Sequence, residues 1–256
     1  MTRTPILLQC ACCCLFGLFG LSAFGQHQDQ SQFAYKQTMM SVEKNKYLDD
    51  AYRLALRLSH PEGLFREAPQ EIPTNIADQV YAGLVAIYES DLPECIAISR
   101  DIRIHSKPFP VTDRVSIILQ SGVSWKNVQI EDPSNALVEF IESLDLVVEM
   151  PFPGGPDQEG IVLLSERPIN MAAVGDQLAT FPEVSSVLNT GKERDGTDIQ
   201  VAWHPNGLEY TFLLTWGACK KECANKHYWS FLVDDQYQVN FLQSGGTPLP
   251  EWWTSK

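Results

Sequence analysis

Basic side chains are scarce in this sequence of 256 residues. Its 19 lysines and arginines are outnumbered by 32 aspartates and glutamates, which gives a net charge of −13. Proteins bind nucleic acids chiefly through positive patches that contact phosphates. A chain this acidic repels a phosphate backbone, so we exclude a nucleic-acid partner. The acidity fits an exported protein and by itself indicates no substrate.

Long apolar runs are absent after residue 25, so the sequence predicts no membrane span in the mature chain. At the N-terminus, Arg3 precedes an uncharged apolar stretch, Ile6–Phe24. Small residues at Ala23 and Gly25 precede a polar run, which is typical of signal-peptidase cleavage after Gly25. An uncleaved anchor is the alternative. We predict a signal peptide over residues 1–25 and a secreted, periplasmic or cell-envelope location.

Cysteine is rare in the mature chain, because four of the seven cysteines belong to the predicted signal peptide. Cys219 and Cys223, with His227 nearby, fit a zinc site, a redox-active dithiol, a thiol nucleophile or a disulfide. Zinc needs four ligands or three plus water, and no second CxxC or HxxxH supplies the missing ligand. Redox-active pairs favour CxxC spacing at a helix N-terminus. Because export leads to an oxidising compartment, we predict a Cys219–Cys223 disulfide and a buried free thiol at Cys95.

Motifs of the common enzyme classes are also missing: GxSxG, HExxH, a phosphate-binding glycine loop and the dinucleotide fingerprint. The carboxylates between Glu193 and Asp198 are a calcium candidate, but they lack the EF-hand pattern, and a solvated acidic turn is the preferred interpretation. We therefore assign no catalytic, metal-binding or cofactor-binding residue. An indole ring can stack on a sugar. Four tryptophans are candidate ligand contacts: Trp216, Trp229, Trp252 and Trp253.

The first half of the mature chain, residues 26–131, is predicted to contain helices followed by strands. Apolar residues recur at helical spacing in SVEKNKYLDDAYRLALRL and again after Thr74 or Asn75, the candidate N-caps of a second helix. Runs rich in branched residues predict a small antiparallel sheet. These runs are CIAISRDIRIH, VTDRVSIILQ and SWKNVQI.

The second half, residues 132–256, repeats this order. Asp132-Pro133 and Asn170 are typical of helix starts. Strands are predicted in LVVEMPF, IVLLSE, EVSSVLNT, DIQVAW, LEYTFLLTW, HYWSFLV and YQVNFLQ. The pair Asn206-Gly207 predicts a hairpin, and the disulfide would close the loop of the next hairpin, before a strand with His227 and Trp229 on one face.

The fold class is therefore α+β, with helices packed on antiparallel sheets in two α-then-β halves and a C-terminal β-meander. Helical and strand periodicities together predict which side chains form the core. The predicted core residues are Ile76, Val80, Leu84, Phe140, Ile141, Val174, Leu178, Phe212, Leu214, Phe231 and Val233.

The segment GACKKECANKHYWSFLVDDQYQVNFLQSGGTPLP resembles the C-terminal part of a group of uncharacterised exported bacterial proteins. In that group a Gly-x-Cys and a later Cys precede His-Tyr-Trp and a final strand. The upstream PINMAAVGDQLATFPEVSSVLNTGKERDGTDIQ is similar in style to the region that precedes the motif there. The resemblance covers the last third to half of the chain. It implies export and a shared fold, and it implies no activity.

Two classes of function follow. We favour an exported non-catalytic module that binds a protein or a glycan at the cell envelope or outside the cell, without a cofactor. The alternative is a secreted hydrolase with an active site assembled from distant residues, for which His204, His227 and Asp198 are the candidates. A histidine within reach of a carboxylate in a cleft favours the hydrolase. An aromatic patch on the C-terminal sheet favours the binding module.

Overall fold

The computed structural model describes residues 26–132, 134–149, 151–188, 196–219 and 222–250. The predicted signal peptide and the candidate contacts Trp252 and Trp253 lie outside these residues, as do Glu193 and Asp195 of the calcium candidate. Contacts divide the chain into two units, Met1–Val42 and Glu43–Lys256. The sheets and the sites below lie in the second unit.

Six α-helices occur in the described residues, and no helix there is both long and apolar enough to cross a bilayer. They are α1 (Gln26–Ser59), α2 (Thr74–Glu89), α3 (Pro93–Ile96), α4 (Trp125–Glu131), α5 (Ala136–Ser143) and α6 (Met171–Leu178). A 3₁₀ helix, Pro61–Arg66, follows α1, and a π-helical turn, Ala97–Asp101, continues α3.

Helix caps agree only partly with the sequence. The predicted cap of α6 is confirmed, because Asn170 Oδ1 accepts a hydrogen bond from Ala173 N at 3.4 Å. Helix α5 is capped by Asn135, which accepts from Leu137 N, and not by Asp132. Helix α2 already includes Thr74, and its N-cap residue is Pro73, which has no side-chain donor or acceptor. The predicted caps of α2 are therefore wrong.

The first sheet contains β1 (Arg114–Leu119), β2 (Leu146–Val148), β3 (Phe152–Gly155), β4 (Gln158–Ser165) and β5 (Val184–Leu188). Its strand order is β2-β4-β1-β5, all neighbours are antiparallel, and β3 also pairs with β4. Strand β1 precedes residue 132 and both of its partners follow it. Strands from the two predicted halves therefore share one sheet, and the boundary at 131/132 does not separate two sheets.

Two of the runs predicted as strands in the first half are helical. Residues 95–101 of the run that begins at Cys95 lie in α3 and the π-helical turn, and SWKNVQI forms α4. A short apolar run cannot be assigned to a strand or a buried helix by periodicity alone. Pro93 occupies the first turn of α3. N–H groups in that turn make no hydrogen bond within the helix, so proline, which lacks an N–H, favours a helix start there. Only the middle run forms the predicted strand, β1.

The second sheet is the predicted C-terminal meander, in the order β6-β7-β8-β9. Its strands are β6 (Asp198–His204), β7 (Gly207–Trp216), β8 (Asn225–Val233) and β9 (Val239–Gly246). The Asn206-Gly207 hairpin is confirmed, with His204 paired to Gly207. Gly207 has a φ of 139°, and a Cβ atom there would collide with the carbonyl of Val233, so glycine is required at this turn.

The predicted core residues are buried, apart from Ile76 and Phe140, which are half-buried. On β7 the alternate residues Leu208, Tyr210 and Phe212 are buried on one face, as a two-residue period requires. Helices α5 and α6 contribute to the core of the first sheet. Helix α2 contacts the second sheet, and the space left between them is the groove described next.

Candidate functional site: a groove between α2 and the second sheet

A groove of about 390 Å³ lies between α2 and one end of the second sheet. Its floor consists of the inward side chains of β7 and β8. One wall is the first half of α2, and the other is the turn that joins β8 to β9. The lining residues are Asn75, Asp78, Gln79, Gly83, Leu208, Tyr210, Val233, Asp234, Asp235 and Tyr237.

A close approach of Gly83 to Tyr210 fixes the position of α2 beside the sheet. The Tyr210 hydroxyl donates a hydrogen bond to the Val80 carbonyl at 3.1 Å. A Cβ atom at Gly83 would overlap that hydroxyl and its ring. Burial raises the pKa of Tyr210 above its ordinary value, so the hydroxyl stays neutral and can donate. The floor of the groove is therefore rigidly joined to its helical wall.

The opposite wall is an ordered turn built around one carboxylate. Asp234 Oδ1 accepts hydrogen bonds from the backbone N–H groups of Gln236 at 2.9 Å and Gln238 at 2.8 Å. The N–H of Tyr237 donates to the Asp234 carbonyl at 2.9 Å. These bonds hold Tyr237 in a left-handed conformation, with a φ of 58° and 49% of its surface exposed. An aromatic ring is thus displayed at the edge of the groove.

In the part of the chain that the structure describes, three carboxylates and two amides line the groove, and no basic side chain does. Asp78 and Asp235 are exposed, and their carboxylates make no hydrogen bond or ion pair within the described part of the chain. Asn75 and Gln79 each add an amide that can both donate and accept. The lining can therefore accept many hydrogen bonds, donate a few, and balance a positive charge on a ligand.

A second exposed aromatic ring lies on the same face of the sheet. Trp203 pairs with Leu208 across β6 and β7, and directly paired residues in an antiparallel sheet share a face. Its side chain is 56% exposed, the most of any tryptophan in the described residues. Sequence reasoning passed over Trp203, although its place beside the His204–Gly207 turn at the end of an edge strand could have indicated exposure.

Two of the predicted ligand-contact tryptophans can be placed. Trp229 is only 5% exposed, and its ring packs on His227 with centroids 4.5 Å apart, which confirms that the two share a face. Trp229 is therefore a core residue and is not available to a ligand. Trp216 is half-buried at the end of β7, opposite Asn225, and does not line the groove.

The cysteines lie as the sequence predicts. The sulfur atoms of Cys219 and Cys223 are at bonding distance, and their Cα atoms are 4.0 Å apart in the loop between β7 and β8. Cys95 is a buried free thiol on α3, and burial raises its pKa, which disfavours the reactive thiolate. Within the described residues, no group of three histidine, cysteine or acidic side chains is arranged to hold a metal ion.

The three hydrolase candidates are not brought together. Asp198 pairs with Leu213 and His227 with Leu214, so these two side chains lie on opposite faces of the sheet. His227 Nδ1 is 2.9 Å from the Thr247 carbonyl. His204 lies at the far end of β6, where its Nδ1 accepts a hydrogen bond from Asn206 N at 3.2 Å.

Asp198 instead joins three parts of the fold. Its carboxylate, which is almost completely buried, accepts two hydrogen bonds from Arg57 on α1, at 2.9 and 3.1 Å. The backbone N–H of Lys107 donates to it at 2.8 Å. Arg57 also donates to the carbonyls of Phe109 and Ile199. This arrangement satisfies a buried carboxylate and indicates a structural role.

A histidine within reach of a carboxylate does occur elsewhere, but it is closed to substrate. His105 Nδ1 is 2.7 Å from Asp50 Oδ2. The other ring nitrogen, Nε2, is buried and faces Glu43 Oε2 at 3.6 Å. Ser106 donates to the same Asp50 through its N–H and its hydroxyl. A general base needs an accessible nitrogen, so His105 is unsuited to that role. Its bond to Asp50 and those of Ser106 instead attach residues 105–106 to α1.

Comparison with protein-family models, with curated proteins and with solved structures gives no match for this chain. Its function therefore has to be inferred from the groove and from the side chains that line it.

Proposed function

We propose that this chain is an exported, non-catalytic binding module that holds its ligand, a glycan or a segment of protein, in the groove between α2 and the second sheet. The groove itself carries the proposal, because it combines a concave shape, an exposed aromatic edge at Tyr237 and a lining of amides and carboxylates. Ligand sites in proteins typically pair apolar surface with a few convergent polar groups.

Two observations support export. The first 25 residues have the composition of a signal peptide. The Cys219–Cys223 pair is at bonding distance, and disulfides persist mainly in oxidising compartments.

The surroundings of the polar groups favour binding over catalysis. Asp78 and Asp235 are both exposed to water, whereas a carboxylic acid that acts as a general acid usually lies in a desolvated site. The imidazole of His105 turns its free nitrogen into the protein. Solvated carboxylates and amides are suited to hydrogen bonding a polar ligand.

One observation favours a second candidate function, a secreted glycoside hydrolase. Asp78 on α2 and Asp235 in the β8–β9 turn line the same groove from different elements. Most glycoside hydrolases use a pair of carboxylates on either side of the scissile bond. The two functions differ in outcome, because a hydrolase releases new reducing ends from an oligosaccharide and a binding module does not.

The mature chain, from Gln26, should be applied to an array of neutral, amino and acidic glycans and to an array of basic, neutral and acidic peptides. We expect selective binding that Tyr237→Asn weakens, because this change removes the exposed ring while asparagine tolerates a positive φ. Asp91→Asn is the matched control, since Asp91 is exposed and lies beyond the other end of α2. Binding that is indifferent to Tyr237→Asn would contradict the assignment of the groove.

Bound oligosaccharides should then be incubated with the protein and assayed for new reducing ends. The binding module predicts none. Release that is lost in both Asp78→Asn and Asp235→Asn would instead establish the hydrolase.

A further inference from the structure

We infer that the ligand of this groove is a short saccharide that carries a free ammonium group, an inference that rests on the proposed binding function. The size of the groove, its aromatic edge and the sign of its charge together favour such a ligand.

The size of the groove favours a small ligand over a folded partner. Its volume of about 390 Å³ is at the lower end of the range for small-molecule sites, about 300–1,000 Å³. Ten residues line it, whereas a stable protein interface uses about 20–30 residues on each side. A groove of this size accommodates one or two sugar rings. It also leaves the ends of a longer oligosaccharide in solvent.

The aromatic edge and the amides fit a sugar ring. A pyranose has an apolar face of C–H groups and a rim of hydroxyls, and an exposed aromatic ring offers a matching flat surface. Tyr237 provides that surface, and the bonds of the Asp234 turn hold it in place. Asn75 and Gln79 can donate to and accept from hydroxyls. A lipid tail would find too little apolar lining, and a bare inorganic cation would not need the ring.

The charge of the lining selects among saccharides. Asp78, Asp234 and Asp235 approach the groove from two elements, and no lysine or arginine among the described residues lines it. An anionic sugar would be repelled by these carboxylates, while an ammonium group can donate charge-assisted hydrogen bonds to them. The net charge of −13 attracts cations toward the surface as well. An amino sugar combines the ring that fits Tyr237 with the charge that fits the carboxylates.

The test compares three tetrasaccharides by titration calorimetry with the mature protein: a β-1,4-linked glucosamine tetramer, its fully N-acetylated counterpart and a galacturonate tetramer. The measurement is made at about pH 5.5, where sugar amines are protonated. We expect the glucosamine tetramer to bind about tenfold tighter than the acetylated one, as one charge-assisted hydrogen bond would give. The galacturonate tetramer should not bind.

The variants Asp78→Asn and Asp235→Asn keep the side-chain shape and remove one charge each. Each should weaken binding of the glucosamine tetramer several-fold and leave the acetylated tetramer nearly unaffected. Tyr237→Asn should weaken both, and Asp91→Asn neither. Thermal unfolding of each variant verifies that it is folded. Asp234 is not substituted, because its carboxylate holds the turn together.

The calorimetry and the arrays separate the ammonium inference from the proposed binding function. Equal affinity for the free and the acetylated amine, with loss on Tyr237→Asn, overturns the ammonium inference and leaves the binding function intact. Failure of all three saccharides, with binding to a lysine-rich peptide that is sensitive to Tyr237→Asn, overturns the saccharide in favour of a protein ligand. If no glycan or peptide on the arrays responds to the groove variants, the proposed function itself fails.

Discussion

A single missing side chain sets the distance between α2 and the second sheet. Gly83 lies where a Cβ atom would overlap the hydroxyl and ring of Tyr210. Glycine inside a helix costs about 1 kcal/mol relative to alanine, so its use here indicates a packing requirement. Because the same contact forms one end of the groove, a change at Gly83 affects both stability and ligand binding.

We predict that Gly83→Ala lowers the free energy of unfolding by about 1–3 kcal/mol, the range for overpacking in a core. Tyr210→Phe should lower it by about 1 kcal/mol through loss of the hydrogen bond to Val80. The double variant should be less destabilised than the sum, since phenylalanine removes the atom nearest to the new Cβ. Urea unfolding measures all three. A Gly83→Ala protein as stable as the wild type would contradict the close packing, and Gly196→Ala, where space is open, is the control.

A substitution at Asp198 tests whether this buried carboxylate stabilises the fold or takes part in catalysis. We predict that Asp198→Ala lowers the free energy of unfolding by about 3–5 kcal/mol, because it leaves the part-buried Arg57 guanidinium without its carboxylate. The exposed pair of Asp113 and Arg114 is the comparison, and Asp113→Ala should cost no more than about 1 kcal/mol. A loss below 1 kcal/mol at Asp198, measured by urea unfolding, would remove its structural role.

Among the helices and strands, the sequence predicts most reliably those in which a long periodic pattern of apolar residues faces a single core. The alternation of LEYTFLLTW predicts β7 and its buried face, and the Asn206-Gly207 pair predicts the β6–β7 hairpin. The run from Cys95 starts with consecutive apolar residues, Cys95–Ile98, which show no alternation, so its helical state depends on Pro93 and on tertiary packing. Local patterns decide hairpins because both partners are adjacent in the chain.

The groove was not predictable in the same way. It arises where α2 meets β7, the end of β8 and the turn that follows β8, over 100 residues later in the chain. Pairings at such separation leave no local pattern. For the same reason, the sequence predicts β1 in a sheet of its own half, whereas β1 pairs with β4 and β5. Individual lining residues such as Tyr237 have no distinguishing sequence context. Only the fold places Tyr237 opposite α2.

The disulfide in the β7–β8 loop should affect the stability of the hairpin that these two strands form. We expect Cys219→Ser with Cys223→Ser to lower the free energy of unfolding by about 2 kcal/mol, as loop-closure entropy gives for so short a loop, and the melting temperature by about 4–8 °C. The fold should persist, because the strands remain paired from Leu208 and Val233 to Trp216 and Asn225. Differential scanning calorimetry with far-UV circular dichroism measures both. Unfolding at room temperature would show that the loop is essential to the sheet.

For the chain as a whole, the cellular compartment determines whether its cysteines are oxidised or reduced. Four of the seven lie in the predicted signal peptide, and Cys95, Cys219 and Cys223 remain after cleavage. Without Arg3, 18 basic residues are left against 32 acidic ones. Export thus predicts a more acidic protein with fewer thiols than the precursor. Both properties can be read from one purified sample.

Expressed with its native leader, the protein should be recovered outside the cytoplasm with an intact mass that begins at Gln26. Thiol titration should then find no reactive thiol in the native protein, because Cys95 is buried and its pKa is raised, and one thiol after denaturation, because Cys219 and Cys223 are bonded to each other. Three thiols after denaturation would exclude the disulfide. A soluble cytoplasmic product that retains Met1 would remove the reason to expect an oxidising compartment, and with it the support that export lends to an extracellular ligand for the groove.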